Sequence, residues 1–273
     1  MQMPELPEVE TTVRGLTPVL LGQRLASVEP RRADLRKAIP VDLRQRLTGA
    51  TVTALGRRAK YGTIATDRGD TLIFHLGMSG RWRVDPVEVE PHDHLLIETD
   101  AGRRLALNDP RRFGFVDLWS TADLTAYPPF MAMGPEPLGA ALTGGHLRAA
   151  LAGRRAPIKA MLLDQRIVAG LGNIYVCEAL HRARIAPGRQ AGRIGLPRLE
   201  RLVDAIKAVL LDAIAAGGSS LRDFAHPDGA LGYFSKQFLV YGREDQDCAC
   251  GVPVRRRTEG GRSTFWCPAC QRG

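Results

Sequence analysis

Residues 51–84 read TVTALGRRAKYGTIATDRGDTLIFHLGMSGRWRV. Apolar and polar side chains alternate around the Arg68-Gly69-Asp70 turn, which predicts a pair of antiparallel strands. Residues 94–119, HLLIETDAGRRLALNDPRRFGFVDLW, repeat the scheme around Asp100-Ala101-Gly102. Two such hairpins imply a β-sandwich or barrel-like sheet extending over roughly residues 25 to 120. Ahead of it lies a helix. Pro7 suits the first helical position, Glu8 and Glu10 favour the positive end of the dipole, and Val9, Val13 and Leu16 recur at helical spacing, with Gly22 to end it. That leaves Met3-Pro4-Glu5 without a structural reason.

Beyond the strands, YPPFMAMGPEPLG at 127–139 breaks both periodicities, and the boundary is placed near residue 135. The pattern then turns helical through PIKAMLLDQ, IYVCEALHRARI and PRLERLVDAIKAVLLDAIAAGG. In the last of these, Leu199, Leu202, Val203, Ile206, Val209, Leu210 and Ile214 form one apolar stripe, a core face. The Gly-rich stretch AGGSSLRDFAHPDGALGYF at 216–234 is too long for a simple connection and is expected to be a functional, mobile segment.

The chain of 273 residues is 44% hydrophobic, which excludes a disordered protein, and no run of apolar residues is long enough to span a bilayer. With no basic-then-apolar leader, it is expected to be cytoplasmic. Lys and Arg outnumber Asp and Glu by 38 to 29, with arginine clusters at Arg111-Arg112 and Arg255-Arg256-Arg257, so a polyanion is a fitting partner and a solvated basic face the plain alternative.

Four of the five cysteines fall in Cys248-Ala-Cys250 and, after sixteen intervening residues, Cys267-Pro-Ala-Cys270. Two close pairs at tight turns suit one tetrahedral structural Zn2+, while Cys177 sits apart in an apolar helical context. Between the pairs, TEGGRSTFW predicts a hairpin with Arg262 at or near its turn, a rigidly presented cation able to hook a phosphate. In GLGNIY at 170–175, Asn173 is expected to cap a helix starting at Ile174 and to present an anion-binding end, with Arg154 and Lys159 adding charge. In HLGMSG and DPRRFG, Met78 and Phe113 read singly as core residues; beside Arg111 and Arg112 they read as an apolar wedge that opens a duplex.

These stretches, with MPELPEVE at 3–10, RRAKY at 57–61, VYGRE at 240–244 and GRSTFWCPACQ at 261–271, run nearly end to end in an order that resembles the formamidopyrimidine-DNA glycosylase family. The resemblance implies an α+β multidomain chain. It would comprise an N-terminal β-sandwich catalytic domain at 1–135, a helical DNA-binding domain with a helix-two-turns-helix element at 136–238, and a C-terminal β-hairpin zinc finger at 239–273. Damaged double-stranded DNA would lie between the domains of a monomer. It implies excision of oxidised purines followed by cutting at the abasic site. The nucleophile would be the secondary amine of Pro4. Glu5 would protonate the sugar ring oxygen, Lys60 would assist β-elimination, and Arg262 would clamp phosphate and aid δ-elimination. Met78, Arg111 and Phe113 would fill the space left by the flipped nucleotide, with His92, Arg154, Lys159 and Asn173 also at the DNA. His92-Asp93-His94 could alternatively bind a metal.

Pro4 serves as a nucleophile only as the first residue, because an acylated proline nitrogen is an amide. Translation is therefore expected to begin at Met3. An endonuclease VIII-like relative acting on oxidised pyrimidines is the near alternative, disfavoured by PELPEVE and the intact Met78, Arg111, Phe113 trio. A non-catalytic damaged-DNA binder, with the extension retained, is the distant one. One departure stands out: the family separates its first zinc pair by two residues and this chain by one, so Asp247 occupies the expected position. Cys248, Cys250, Cys267 and Cys270 are expected to hold the ion, with Asp247 as the alternative to Cys248.

Overall fold

In the computed structural model, which describes residues 3–219 and 233–272, the chain divides into two compact units. One is Met1–Met131 with Ala216–Tyr233; the other is Ala132–Ala215 with Phe234–Gly273.

The first unit opens with helix α1 (Leu6–Leu20), starting one residue before Pro7, and Gly22 adopts the left-handed conformation that turns the chain after it. Eight strands follow: β1 (Leu25–Pro30), β2 (Val52–Arg58), β3 (Tyr61–Thr66), β4 (Asp70–His75), β5 (Arg81–Val84), β6 (Asp93–Thr99), β7 (Arg104–Asn108) and β8 (Phe115–Ser120), with the short helix α2 (Leu43–Leu47) between the first two. They form two antiparallel four-stranded sheets, ordered β1-β6-β7-β5 and β2-β3-β4-β8. Both expected hairpins are present, as β3–β4 and β6–β7. Their inward side chains share one core with α1, in which Leu16, Val28, Phe74, Trp82, Leu95 and Val116 are almost wholly buried. A side chain at Gly62 would drive its Cβ to 2.0 Å from the Phe74 ring, so the β3–β4 pairing needs glycine there. The stretch read as a linker is not irregular throughout: it contains helix α3 (Pro128–Met131), and Tyr127 and Phe130 are buried, each edge-on to the other.

The second unit contains α4 (Gly144–Leu151), capped by the Thr143 hydroxyl, then α5 (Ile158–Leu162), α6 (Asn173–Arg182) and α7 (Leu196–Ala215). All seven residues of the predicted stripe on α7 are buried, and α4 and α6 lie against that helix. The unit ends in a hairpin of β9 (Arg255–Glu259) and β10 (Arg262–Trp266), turning at Gly260-Gly261, both left-handed. Most of the Gly-rich stretch expected to be mobile, residues 220–232, lies outside the described residues. Among the described residues no helix is long and apolar enough to cross a membrane.

Candidate active site and metal centre

In the first unit, Pro4 and Glu5 are buried at the head of α1. The Glu5 N–H donates to the Glu8 carboxylate at 2.9 Å, which satisfies one of the amide donors that the first helical turn cannot pair internally. Glu8 is itself 2% exposed, and its other oxygen accepts from the N–H and the hydroxyl of Ser219, both at 2.8 Å.

Helix α1 lies against β2 and β3, and Lys60 sits in the turn joining those strands, 6% exposed. The turn is tight enough to hold Ala59 at φ 54°, and Arg57 closes it by donating to the Ala59 carbonyl at 2.9 Å while pairing with Glu10 of α1 at 3.0 Å. Facing the same region, His75 accepts the Gly77 N–H on Nδ1 at 3.1 Å and stacks on Phe115. Burial, with the nearby cations Lys60, Arg36 and Lys37, lowers His75 to a pKa of about 3, so its ring is neutral at physiological pH.

The loops HLGMSG and DPRRFG meet backbone to backbone. Gly77, at φ 62°, leaves no room for a side chain: a Cβ would come within 2.3 Å of the Gly114 nitrogen. Asp109, 1% exposed, organises the contact by accepting the Ser79 hydroxyl at 2.5 Å and the Gly114 N–H at 2.8 Å. Its carbonyl takes His94 Nε2 at 2.9 Å, and the Ser79 hydroxyl in turn accepts the Arg111 N–H at 3.1 Å.

On this frame Arg112 is held left-handed at φ 56°, and Phe113 is 43% exposed with the Arg111 guanidinium 4.8 Å from its ring centroid. Met78 is half-buried. The single-residue reading as core is therefore corrected for Phe113, which a left-handed turn built on Asp109 presents to solvent. His92 is exposed, while Asp93 is spent on Arg83 and Asn108, so that triplet does not gather as a metal site.

In the second unit, Gln165 shapes the connection between α5 and α6. Its amide donates to the Leu163 and Leu171 carbonyls and accepts the Gly170 N–H at 2.8 Å. Asn173 does not cap α6. Gly172 holds the cap position, and the Asn173 amide donates instead to the Ser263 carbonyl at 2.9 Å and reaches the Tyr241 hydroxyl at 3.4 Å.

Lys159 is also corrected. It is 2% exposed rather than a surface cation, and its ammonium donates to the same Ser263 carbonyl at 3.0 Å and to the Thr264 hydroxyl at 2.7 Å. Burial lowers its pKa. Both side chains thus grip the hairpin beside Arg262, which is exposed at the start of β10. Arg262 and Lys159 line a cleft of about 460 Å³ together with Pro157, Asp164, Glu259 and Gly260. Arg154 is exposed in the turn after α4.

The segment ahead of the hairpin is held by Glu178 of α6. Fully buried, it accepts the N–H groups of Leu239, Val240 and Tyr241 at 2.8 to 3.0 Å, while burial raises its pKa against their pull. The sequence reading did not single out Glu178; the signal that could have found it is an acid among apolar residues in IYVCEALHRARI.

The four thiols of Cys248, Cys250, Cys267 and Cys270 lie within 4.8 Å of one another, and Asp247 is not among them. The Cys270 N–H points at the Cys267 sulfur at 3.4 Å. Four converging soft donors fit a tetrahedral zinc ion.

Comparison with known proteins gives a consistent result. Residues 3–116 match the formamidopyrimidine-DNA glycosylase N-terminal domain, and residues 133–225 match the formamidopyrimidine-DNA glycosylase H2TH domain. The formamidopyrimidine-DNA glycosylase of Rhizorhabdus wittichii is 69% identical over 99% of this chain and 100% of its own, and that of Novosphingobium aromaticivorans is 62% identical over the same shares. Among solved structures, the MutM (Fpg) protein of Thermus thermophilus is similar with a TM-score of 0.88 and 41% identity, covering 98% of each chain. Lactococcus lactis Fpg in complex with DNA containing an abasic site is similar with a TM-score of 0.91 and 34% identity, over 99% of this chain and 100% of that one.

Proposed function

The chain belongs to the formamidopyrimidine-DNA glycosylase family and is a repair glycosylase with that family's abasic-site lyase activity; we propose that Pro4 is its nucleophile and oxidised purines in duplex DNA its substrates. The observation that carries the assignment is the buried Pro4-Glu5 pair at the head of α1. Once the preceding residues are removed, Pro4 is a secondary amine; a terminal amine has a pKa of about 7.7–8.0, so roughly a tenth is unprotonated near pH 7.

The amine attacks C1′ of the flipped nucleotide as the glycosidic bond breaks and its electron pair leaves with the base. Glu5 gives its proton to the ring oxygen, the sugar opens, and an iminium joins Pro4 to C1′. The iminium acidifies the C2′ proton, whose loss expels the 3′ phosphate, with Lys60 assisting. A second elimination, aided by Arg262, expels the 5′ phosphate, and water releases the enzyme.

Arg111 and Phe113 occupy the vacated stack with Met78, while His92 and Arg154 meet the DNA from exposed positions. Lys159 and Asn173 fix the hairpin backbone next to Arg262, and Asn173, half-buried, stands with it at the DNA. Cys248, Cys250, Cys267 and Cys270 would hold one zinc ion, which supplies a rigid cross-link at the base of the hairpin. In this reading the sandwich, helical and finger parts divide near residues 135 and 238, and the protein works on cellular DNA in the cytoplasm.

The test separates the two steps. Glu5→Gln is expected to lose excision of 8-oxoguanine yet retain strand cleavage on DNA carrying a pre-formed abasic site, where no base remains to be expelled. Equal loss of both activities would make Glu5 a structural residue.

A further inference from the structure

Helix α6 meets the cysteine cluster through residues that share one helical face. Cys177 and His181, four apart, are both directed at the finger. Cys177 is buried in a cluster with Val240, Cys248, Val254, Phe265 and Cys267, and one turn later the His181 Nε2 lies 3.4 Å from the Cys248 sulfur. Just past the helix, the Ile185 carbonyl accepts the amide of Gln271, whose oxygen takes the Cys267 N–H, both at 2.9 Å. The finger is therefore built onto α6, and His181 is the point at which the helix touches a metal-binding sulfur.

That contact answers a shortage created by the one-residue spacing of Cys248 and Cys250. Thiolates bound to zinc carry excess negative charge and are stabilised by N–H donors. Cys267 has the Cys270 N–H at 3.4 Å. In the shortened loop the Gly251 N–H is taken by the Cys248 carbonyl at 2.8 Å, and Cys248's own N–H by Val252 at 3.1 Å. Cys248 is 5% exposed, which limits help from water. His181 Nδ1 is buried with no partner among the described residues, so the Cys248 sulfur is the polar contact that its ring makes there.

We propose that His181 is a positioning residue of the metal centre: its Nε2–H donates to the Cys248 thiolate and replaces the backbone donor that the short Cys-Ala-Cys loop does not provide. A zinc-bound thiolate only accepts hydrogen bonds, so the nitrogen facing it carries the proton and Nδ1 does not. The inference rests on the zinc reading above. Partners that orient metal ligands are typically worth about 10–100-fold in metal affinity.

The experiment uses the full-length zinc-loaded chain and two variants. His181→Phe keeps an aromatic ring and removes the donor; His181→Gln places an amide N–H near the former Nε2. Zinc transfer to a chromophoric chelator is followed, with circular dichroism to show that α6 is intact. His181→Phe is expected to hold zinc about 10–100-fold less tightly, and His181→Gln to recover most of that loss. Long-range 1H–15N correlation on the wild-type zinc protein, which needs no substitution, should show His181 protonated on Nε2 and bare on Nδ1. Unchanged zinc retention in His181→Phe, no recovery in His181→Gln, or the opposite tautomer would each overturn the proposal while leaving the metal site standing. A purified wild-type chain unable to bind zinc would overturn the metal reading and this inference together.

Discussion

The Glu8 carboxylate joins the head of α1 to Ser219: one oxygen takes the Glu5 N–H at 2.9 Å, the other the Ser219 N–H and hydroxyl at 2.8 Å. A buried acceptor with these partners cannot be deleted cheaply, since each amide left unpaired costs about 1–3 kcal/mol. Glu8→Ala should therefore lower the thermal unfolding midpoint by several degrees, and Glu8→Gln, which retains one acceptor oxygen, by less. Both variants melting with the wild type would mean that water replaces the carboxylate.

His75 supplies a pH dependence. Its pKa of about 3 in the fold lies below the ordinary value of 6.5, so between those limits the unfolded chain binds a proton that the folded chain does not. Stability from this group is complete above pH 6.5 and declines as the pH falls toward 3, by up to about 1.4 kcal/mol per unit. His75→Asn keeps an acceptor for the Gly77 N–H and removes the titration. Urea unfolding at pH 7, 5.5 and 4.5 should show the wild type losing more stability on acidification than the variant; parallel losses would place a protonated imidazole in the fold.

The two arginines proposed at the DNA, half-buried Arg111 and exposed Arg154, should divide by what they meet. If Arg111, over the Phe113 ring, fills the duplex as proposed, Arg111→Ala should weaken discrimination of the base opposite the lesion more than overall affinity. Arg154→Ala should instead reduce the magnitude of the salt slope by about one, the loss of one phosphate contact. Competition binding with each of the four opposite bases across a salt series checks both. An unaltered opposite-base preference in the Arg111 variant would remove it from the wedge.

Much of this architecture was legible because it rests on local periodicity. Alternation around Arg68-Gly69-Asp70 marked the β3–β4 hairpin, and the stripe on α7 and the paired cysteines were equally local signals. What escaped depends on partners distant in sequence. Lys159 reads as a surface cation in PIKAML until Ser263 and Thr264, more than a hundred residues on, arrive to accept from it. Asn173 looked like a cap because it precedes an apolar helix, yet the helix begins at it and the hairpin takes its amide. Asp109 reads as a turn residue before Pro110, and only the meeting of two loops shows why its carboxylate is buried.

The central claim is that Pro4, as the free N-terminus, forms the covalent bond to the sugar. The most direct measurement incubates protein purified from its native cells with DNA containing 8-oxoguanine and borohydride, then digests the trapped complex and locates the modified residue by mass spectrometry, alongside the intact mass. The account predicts a chain beginning at Pro4 with the reduced sugar attached to the Pro4 nitrogen. A fully active chain that retains Met1, or an adduct on Lys60 instead, would contradict it.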